Sequence, residues 1–269
     1  MPLRPPAIPD PLLLAGHAPL PARLHGARRE RGPTPLVLHL HGGAFTGGDL
    51  DAGECIAQLL AKAGGMVVSV AYPLAPAHPF PEAVEAAYAA LVWMSEQRTR
   101  LAGARAPLFV AGEEAGGNLA AAVAAMVRDR AEFALAGQIL VTPMLDPCNA
   151  MPSQREAVGQ QVTCRWSEGW RHYLRGPMDA EHPYAVPAHA RRLAGLPPTL
   201  VLAGEDDPMR DEALAYAKRL QQAGIAVQTA LIPATGWPES LEAPPQPCPC
   251  EAAVVESLRA FLDTPEPAS

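Results

Sequence analysis

The segment "VAGEEAGGNLA", Val110–Ala120, has the composition of a strand end, a tight glycine turn and a helix start. Within it, Gly112, Glu113, Glu114, Ala115 and Gly116 fill the places of G-x-S-x-G, the pattern that raises a nucleophilic serine on a sharp strand-to-helix turn. The serine place holds Glu114. A second segment, "HLHGGAFTGGDLD", sets Gly42 and Gly43 where backbone N–H groups can approach an oxygen closely. A third, "GEDDPMRDEA", carries Asp207 ahead of Pro208 and a helical pattern. Asp before proline at a helix start is also a good N-cap, which accounts for Asp207 without chemistry.

A carboxylate at a helix start is favoured as the anion by the dipole and the free N–H groups there. Burial, and repulsion from Glu113 or Asp207, push the other way. Three roles for Glu114 stay open on these residues. It could attack as a nucleophile, act as a general base beside the glycine loop, or line a binding pocket without catalysis.

These residues need strands to carry them. "LVLHL" (Leu36–Leu40), "MVVSV" (Met66–Val70), "LFVAG" (Leu108–Gly112), "GQILVTP" (Gly137–Pro143), "TLVLAG" (Thr199–Gly204) and "VQTALIP" (Val227–Pro233) read as strands buried on both faces. Helical patterns alternate with them over Pro81–Met94, Gly117–Arg130, Met209–Gly224 and Glu251–Asp263. The first starts with Pro81 at N1 and sets Val84, Tyr88, Leu91 and Val92 on one face. The alternation predicts an α/β fold, a parallel sheet flanked by helices, with its site at the carboxyl ends of the strands. Residues 146–187 break the rhythm and read as an inserted helical cap or lid, in which Trp166, Trp170 and Tyr173 are expected to pack the helix. His78-Pro79-Phe80-Pro81 is expected to set a turn.

A formal charge of −7, from 21 basic and 28 acidic residues, argues against a nucleic-acid surface. The apolar run Leu119–Val127 is too short to span a bilayer. The proline-broken N-terminus lacks a signal-peptide pattern, and five scattered cysteines fit a reduced, cytoplasmic protein. Cys248 and Cys250 form the one close pair, in a proline-rich stretch without further ligands nearby.

Taken together, the motifs resemble one family. "HLHGGAFTGGDLD" is similar to the H-G-G-G/A oxyanion loop of the hormone-sensitive-lipase-like esterases, the α/β-hydrolase fold-3 family. "VVSVAYPLAPAHPFPEAVEAAYAALVWM", "GEEAGGNLA" and "LPPTLVLAGEDDPMRDEALAYAKRLQQAGIAV" resemble later segments of that family, in its order. The resemblance implies an oxyanion hole at Gly42, Gly43 and Ala115, with His41 holding the loop through ring hydrogen bonds. It puts the nucleophile at Glu114, the acid at Asp207 and the histidine at Thr235, in Thr235-Gly236-Trp237. Chain order agrees that the base is missing, because the last histidine, His189, precedes Asp207. The family's Tyr-Arg-Leu-Ala-Pro-Glu is here Tyr72-Pro73-Leu74-Ala75-Pro76-Ala77. With only about 40 residues before His41, a reduced N-terminal cap is expected, with a more open pocket or one completed by a partner.

The resulting expectation is one α/β-hydrolase domain over residues 1–269, with a cap or lid over about 146–187 and the catalysis lost. It would bind a small carbonyl- or carboxyl-containing ligand, a protein partner or a second copy. Gibberellin receptors and the aspartate-bearing dehalogenases and epoxide hydrolases resemble this fold and illustrate the two directions. The alternative is a lyase, isomerase or atypical hydrolase that uses Glu114 with the inherited oxyanion hole. No metal or organic cofactor, nucleic acid or membrane span is implied.

Overall fold

The strands assemble into one seven-stranded sheet in the order β1-β3-β2-β4-β5-β6-β7. A computed structural model describes residues 8–148, 151–158, 165–233 and 251–264. The strands are β1 (Ala22–His25), β2 (Leu36–Leu40), β3 (Met66–Val70), β4 (Leu108–Glu113), β5 (Gly137–Val141), β6 (Thr199–Gly204) and β7 (Val227–Ile232). All neighbours run parallel except β1, which pairs antiparallel with β3.

Alternation along the strands separates two cores. Leu36, Leu38, Leu40, Val68, Val110 and Leu140 turn to the side covered by α2 (Glu82–Glu96), α4 (Ala115–Arg130) and α8 (Arg210–Gln222). Val37, Val67, Phe109, Ile139 and Leu200 turn to α1 (Glu54–Lys62) and α9 (Glu251–Leu262). Two-sided burial explains why these strands are near-continuously apolar. β7 departs from that expectation: among the described residues it is an edge strand paired with β6 alone, and its side chains are half-buried or exposed.

β1, α1 and the short α3 (Arg98–Leu101) are further elements that the apolar patterns did not indicate. β1 is a four-residue edge strand with two buried side chains, too little for a periodic signal. α2 starts at Glu82 with Pro81 as its N-cap, one place earlier than expected for the proline, and Val92 is only half-buried. α4 starts at Ala115 rather than Gly117, because Glu114 alone makes the turn out of β4. α8 ends at Gln222, and Gly224 takes the left-handed φ of +82° beyond it, as a helix-stop glycine does. Between β5 and β6 lie α5 (Pro152–Val158), α6 (Arg165–Tyr173) and α7 (Pro177–Ala180). Among the described residues no helix precedes α1, and none is long and apolar enough to cross a membrane.

α4 seats very close to the sheet. A side chain at Gly116 would strike the backbone oxygens of Leu40 and His41. The glycine therefore sets the helix-to-strand distance. Gly116→Ala is expected to lower unfolding free energy by about 1–3 kcal/mol, the usual cost of overpacking against an unyielding neighbour. A urea denaturation midpoint equal to the parent's would show that α4 can lift off the sheet freely.

Candidate active site

At the carboxyl end of β4 the chain turns through Glu114, whose backbone sits at φ +51° and ψ −115°. That conformation is costly for a side chain larger than glycine and is held by its surroundings. The Glu114 N–H donates to Val141 O at 3.1 Å, and its carbonyl accepts from Met144 N–H at 2.9 Å. The turn is thus tied to the end of β5 and the loop behind it.

The Glu114 side chain is buried and points into a set of four donors. One oxygen, Oε2, accepts the Gly43 N–H at 2.6 Å and the Ala44 N–H at 3.4 Å. The other, Oε1, accepts Arg165 Nη2 at 2.7 Å and the Trp166 indole N–H at 2.6 Å. Both cap-segment donors come from the first turn of α6. A carboxyl group taken out of water is satisfied by hydrogen bonds of this number and kind.

The loop that supplies Gly43 and Ala44 is shaped from several sides. Gly43 has φ +117°, and a side chain there would strike the Gly47 backbone. Ala44 and Phe45 also have positive φ, at 49° and 64°. Phe45 stacks on Tyr173 of α6 with ring centroids 3.9 Å apart, and Gly169 lets that helix lie directly against the Ala44 carbonyl. His41 Nδ1 bonds the Gly42 carbonyl at 2.7 Å, and its ring stacks on Tyr72 at 4.3 Å. Tyr72 in turn donates its hydroxyl to His41 O at 2.7 Å. Burial pushes the His41 pKa down, so the ring is neutral and serves as a support.

Glu113 works on the other side of the same strand end. Its Oε1 accepts the Gly42 N–H at 3.1 Å, and its Oε2 bonds His39 Nε2 at 2.8 Å. His39 Nδ1 continues to Ser69 Oγ at 2.9 Å, so a buried polar chain joins β3, β2 and β4 to the glycine loop.

Asp207 lies in the turn after β6, nearly buried, and its Oδ1 accepts the Met209 N–H at 2.7 Å. It is not the N-cap of α8, since that place falls to Met209, and its carboxylate braces the turn before the helix. Burial first, with the nearby charges of Glu114 and Asp206 adding to it, raises its pKa to about 7. Glu212 on α8 is buried as well. It accepts the N–H groups of Leu145 and Asp146 and the Gln154 side-chain amide, and burial pushes its pKa up to about 8. It pins the loop after β5.

Of the residues singled out in the sequence, Glu114, Gly43, Asp207 and Ala115 thus gather at one end of the sheet. Gly42 does not point its N–H at the same place as Gly43, because Glu113 takes it. Thr235 and the Cys248/Cys250 pair lie outside the described residues. The pocket is not open at the elbow: α6 covers Glu114, which is 8% exposed. Trp166 does more than pack, because its indole reaches Glu114. Ala44, Arg165, Glu113, His39 and Glu212 were missed. Only the doubled acid Glu113-Glu114 could have hinted at a donor-rich surrounding, and nothing in "RWSEGW" announces its partner.

The parallel sheet, the strained turn after β4 and the glycine loop beside it are the frame of an α/β-hydrolase. The chain belongs to the α/β-hydrolase fold-3, hormone-sensitive-lipase-like family, and the alpha/beta hydrolase fold profile matches residues 37–236. It is 38% identical over 217 residues to the carboxylic ester hydrolase LipN of Mycobacterium tuberculosis, covering 77% of this chain and 57% of LipN. It is 34% identical over 226 residues to the ethyl acetate hydrolase of Pseudomonas putida, covering 81% of this chain and 70% of that protein. The solved hyperthermophilic esterase from Pyrobaculum calidifontis is 33% identical, with a TM-score of 0.77 over 92% of this chain and 83% of that one. The chain therefore spans less than two thirds of LipN.

These relatives overturn the expectation of a degenerate, non-catalytic binding protein and its lyase or isomerase alternative. They are ester hydrolases by name, at 34–38% identity across most of the chain. The expectation weighed two positions, Glu114 and Thr235, above everything that surrounds them. The backbone donors and the strained turn are nevertheless assembled at the elbow, and a perturbed acid lies at the same end of the sheet, in the turn after β6.

The raised pKa of Asp207 has a defined sign for stability. The folded acid holds its proton up to about pH 7, whereas the unfolded one releases it near the ordinary value of 3.8. Its contribution is therefore most favourable below the unfolded pKa, falls as pH rises between those two values, and is flat above. Asp207→Asn should stabilise the protein relative to the parent by on the order of 2–4 kcal/mol above pH ~7, and by much less near pH ~4. Denaturation measured at both pH values checks this, and a pH-independent difference would refute the buried, proton-holding acid.

Proposed function

We propose that the chain hydrolyses small carboxylic esters at the elbow between β4 and α4. One observation carries the reading: the Gly43 and Ala44 N–H groups already hold a carboxyl oxygen, at 2.6 and 3.4 Å. Preorganised backbone donors at such distances are what a developing ester oxyanion needs. In this reading they form the oxyanion hole, with the Ala115 N–H as a further donor and Gly42 shaping the loop. The helices over 146–187 serve as its lid, and the ligand is a small carbonyl compound. The names of the relatives support the same reaction class.

Water is the nucleophile. A carboxylate attack by Glu114 on an alkyl ester yields a tetrahedral adduct that expels the carboxylate again, because the alkoxide is by far the more basic leaving group. Thr235 offers only a hydroxyl, which is no base near neutral pH. Asp207, with a pKa of about 7, is matched to general-base work. It takes a proton from water as the water oxygen bonds to the ester carbon, and the carbonyl oxygen gathers charge in the hole. The carbon–alkoxy bond then breaks, and Asp207 returns the proton to the alcohol. Glu114 leaves the hole when the ester enters, so it limits access and does not take part in bond making.

Hydrolysis of p-nitrophenyl acetate by the purified protein tests this. Its kcat/KM should rise through about pH 7 and level off above. Asp207→Asn should lose the rising limb and about 100-fold or more in rate. Glu114→Gly should raise kcat/KM, because a larger share of molecules has an empty hole. A parent and a Glu114→Gly variant that are both inert between about pH 5 and 9 would falsify the proposal.

A further inference from the structure

Glu114 is held by two groups of donors with different origins. The Gly43 and Ala44 N–H groups belong to the loop after β2, whereas Arg165 and the Trp166 indole belong to α6. One cation, one indole N–H and two backbone N–H groups satisfy both oxygens of a carboxylate, whichever molecule brings it. Nothing in that set is specific to a side chain at residue 114. Moreover, Glu114 reaches the donors from a left-handed backbone at φ +51°, a conformation with its own cost. A free acid can make the same four bonds, since the turn is held by backbone bonds to Val141 and Met144 and not by the side chain.

We propose that this four-donor cradle is a binding site for a short-chain monocarboxylate, which exchanges with the chain's own Glu114 carboxylate. The inference deepens the proposed hydrolysis and rests on it for the origin of the acid, which is the product that ester cleavage releases. Arg165 and Trp166 are the recognition groups. The side chain of Arg165 is 46% exposed, so it can meet an incoming anion before Glu114 lets go. An amide or alcohol of the same shape lacks the second anionic oxygen and does not compete.

The test uses butyrate as probe and the full chain. Glu114→Gly empties the cradle, and glycine adopts the left-handed turn freely. Butyrate should bind this variant saturably, seen as a rise in melting temperature and a shift of the Trp166 indole N–H resonance, while butyramide does neither. Adding Arg165→Met should weaken butyrate binding about tenfold or more. The parent should bind more weakly than Glu114→Gly, since its own carboxylate competes. A Glu114→Gly protein with the parent's circular dichroism that ignores butyrate, binds butyramide equally, or is indifferent to Arg165→Met overturns the proposal. Should that variant not fold, the parent decides: its Trp166 indole N–H must shift with saturating butyrate and not with butyramide. Ester turnover is not read here. Butyrate binding by an inert protein keeps the site and removes the hydrolysis, and turnover without butyrate binding does the reverse.

Discussion

The carboxylate of Glu114 is the point through which the sheet, the glycine loop and the helical segment after β5 meet. It is buried, and it is met by four donors from two other parts of the chain. A buried charge with fewer partners would cost several kcal/mol, so the arrangement is sensitive to every member. The left-handed turn, the positive φ values of Gly43, Ala44 and Phe45, and the seating of α6 on Ala44 all follow from bringing these groups to one place. The stack of Phe45 on Tyr173 adds apolar contact to the same junction.

Two further acids hold the surroundings in place. Asp207 and Glu212 are both buried and both accept backbone N–H groups, yet burial outweighs those bonds in each. Their protons are therefore retained into the neutral range, and the two loops they brace, after β6 and after β5, are held by acids that respond to pH. A site with its carboxyls poised near neutrality is suited to moving protons, whereas a fully ionised acid cluster at this sheet end would repel itself.

How much of this was legible beforehand differs by kind. Six strands and the major helices were readable because two-sided burial imposes long apolar runs, as in "MVVSV" and "LFVAG". β1 was not, because an edge strand of four residues needs only Ala22 and His25 inside. The location of the site was readable from Gly42-Gly43 and Gly112-Glu113-Glu114, since close backbone approach demands glycine at particular spacings. The partners of Glu114 were not. Arg165 and Trp166 are 51 and 52 residues away, and their place is set by the packing of Gly169 and Phe45, which leaves no local pattern. The function was misjudged for the same reason: residue identities at two positions were visible, and the donor set around one of them was not.

Glu113 and Glu114 are chemically the same side chain on adjacent residues, and they face opposite ways. Glu113 turns toward His39, Ser69 and the start of α1, whereas Glu114 turns toward the loop and α6. Strand geometry makes them non-interchangeable, because a shift of one residue reverses every direction. Loss of Glu113 from β4 would leave an acid at the elbow and bring Gly112 to the place that bonds His39. The composition of the turn would hardly change, and the loop carrying Gly42 would lose its anchor. In this protein the phase of one strand, more than its content, decides what each glutamate does.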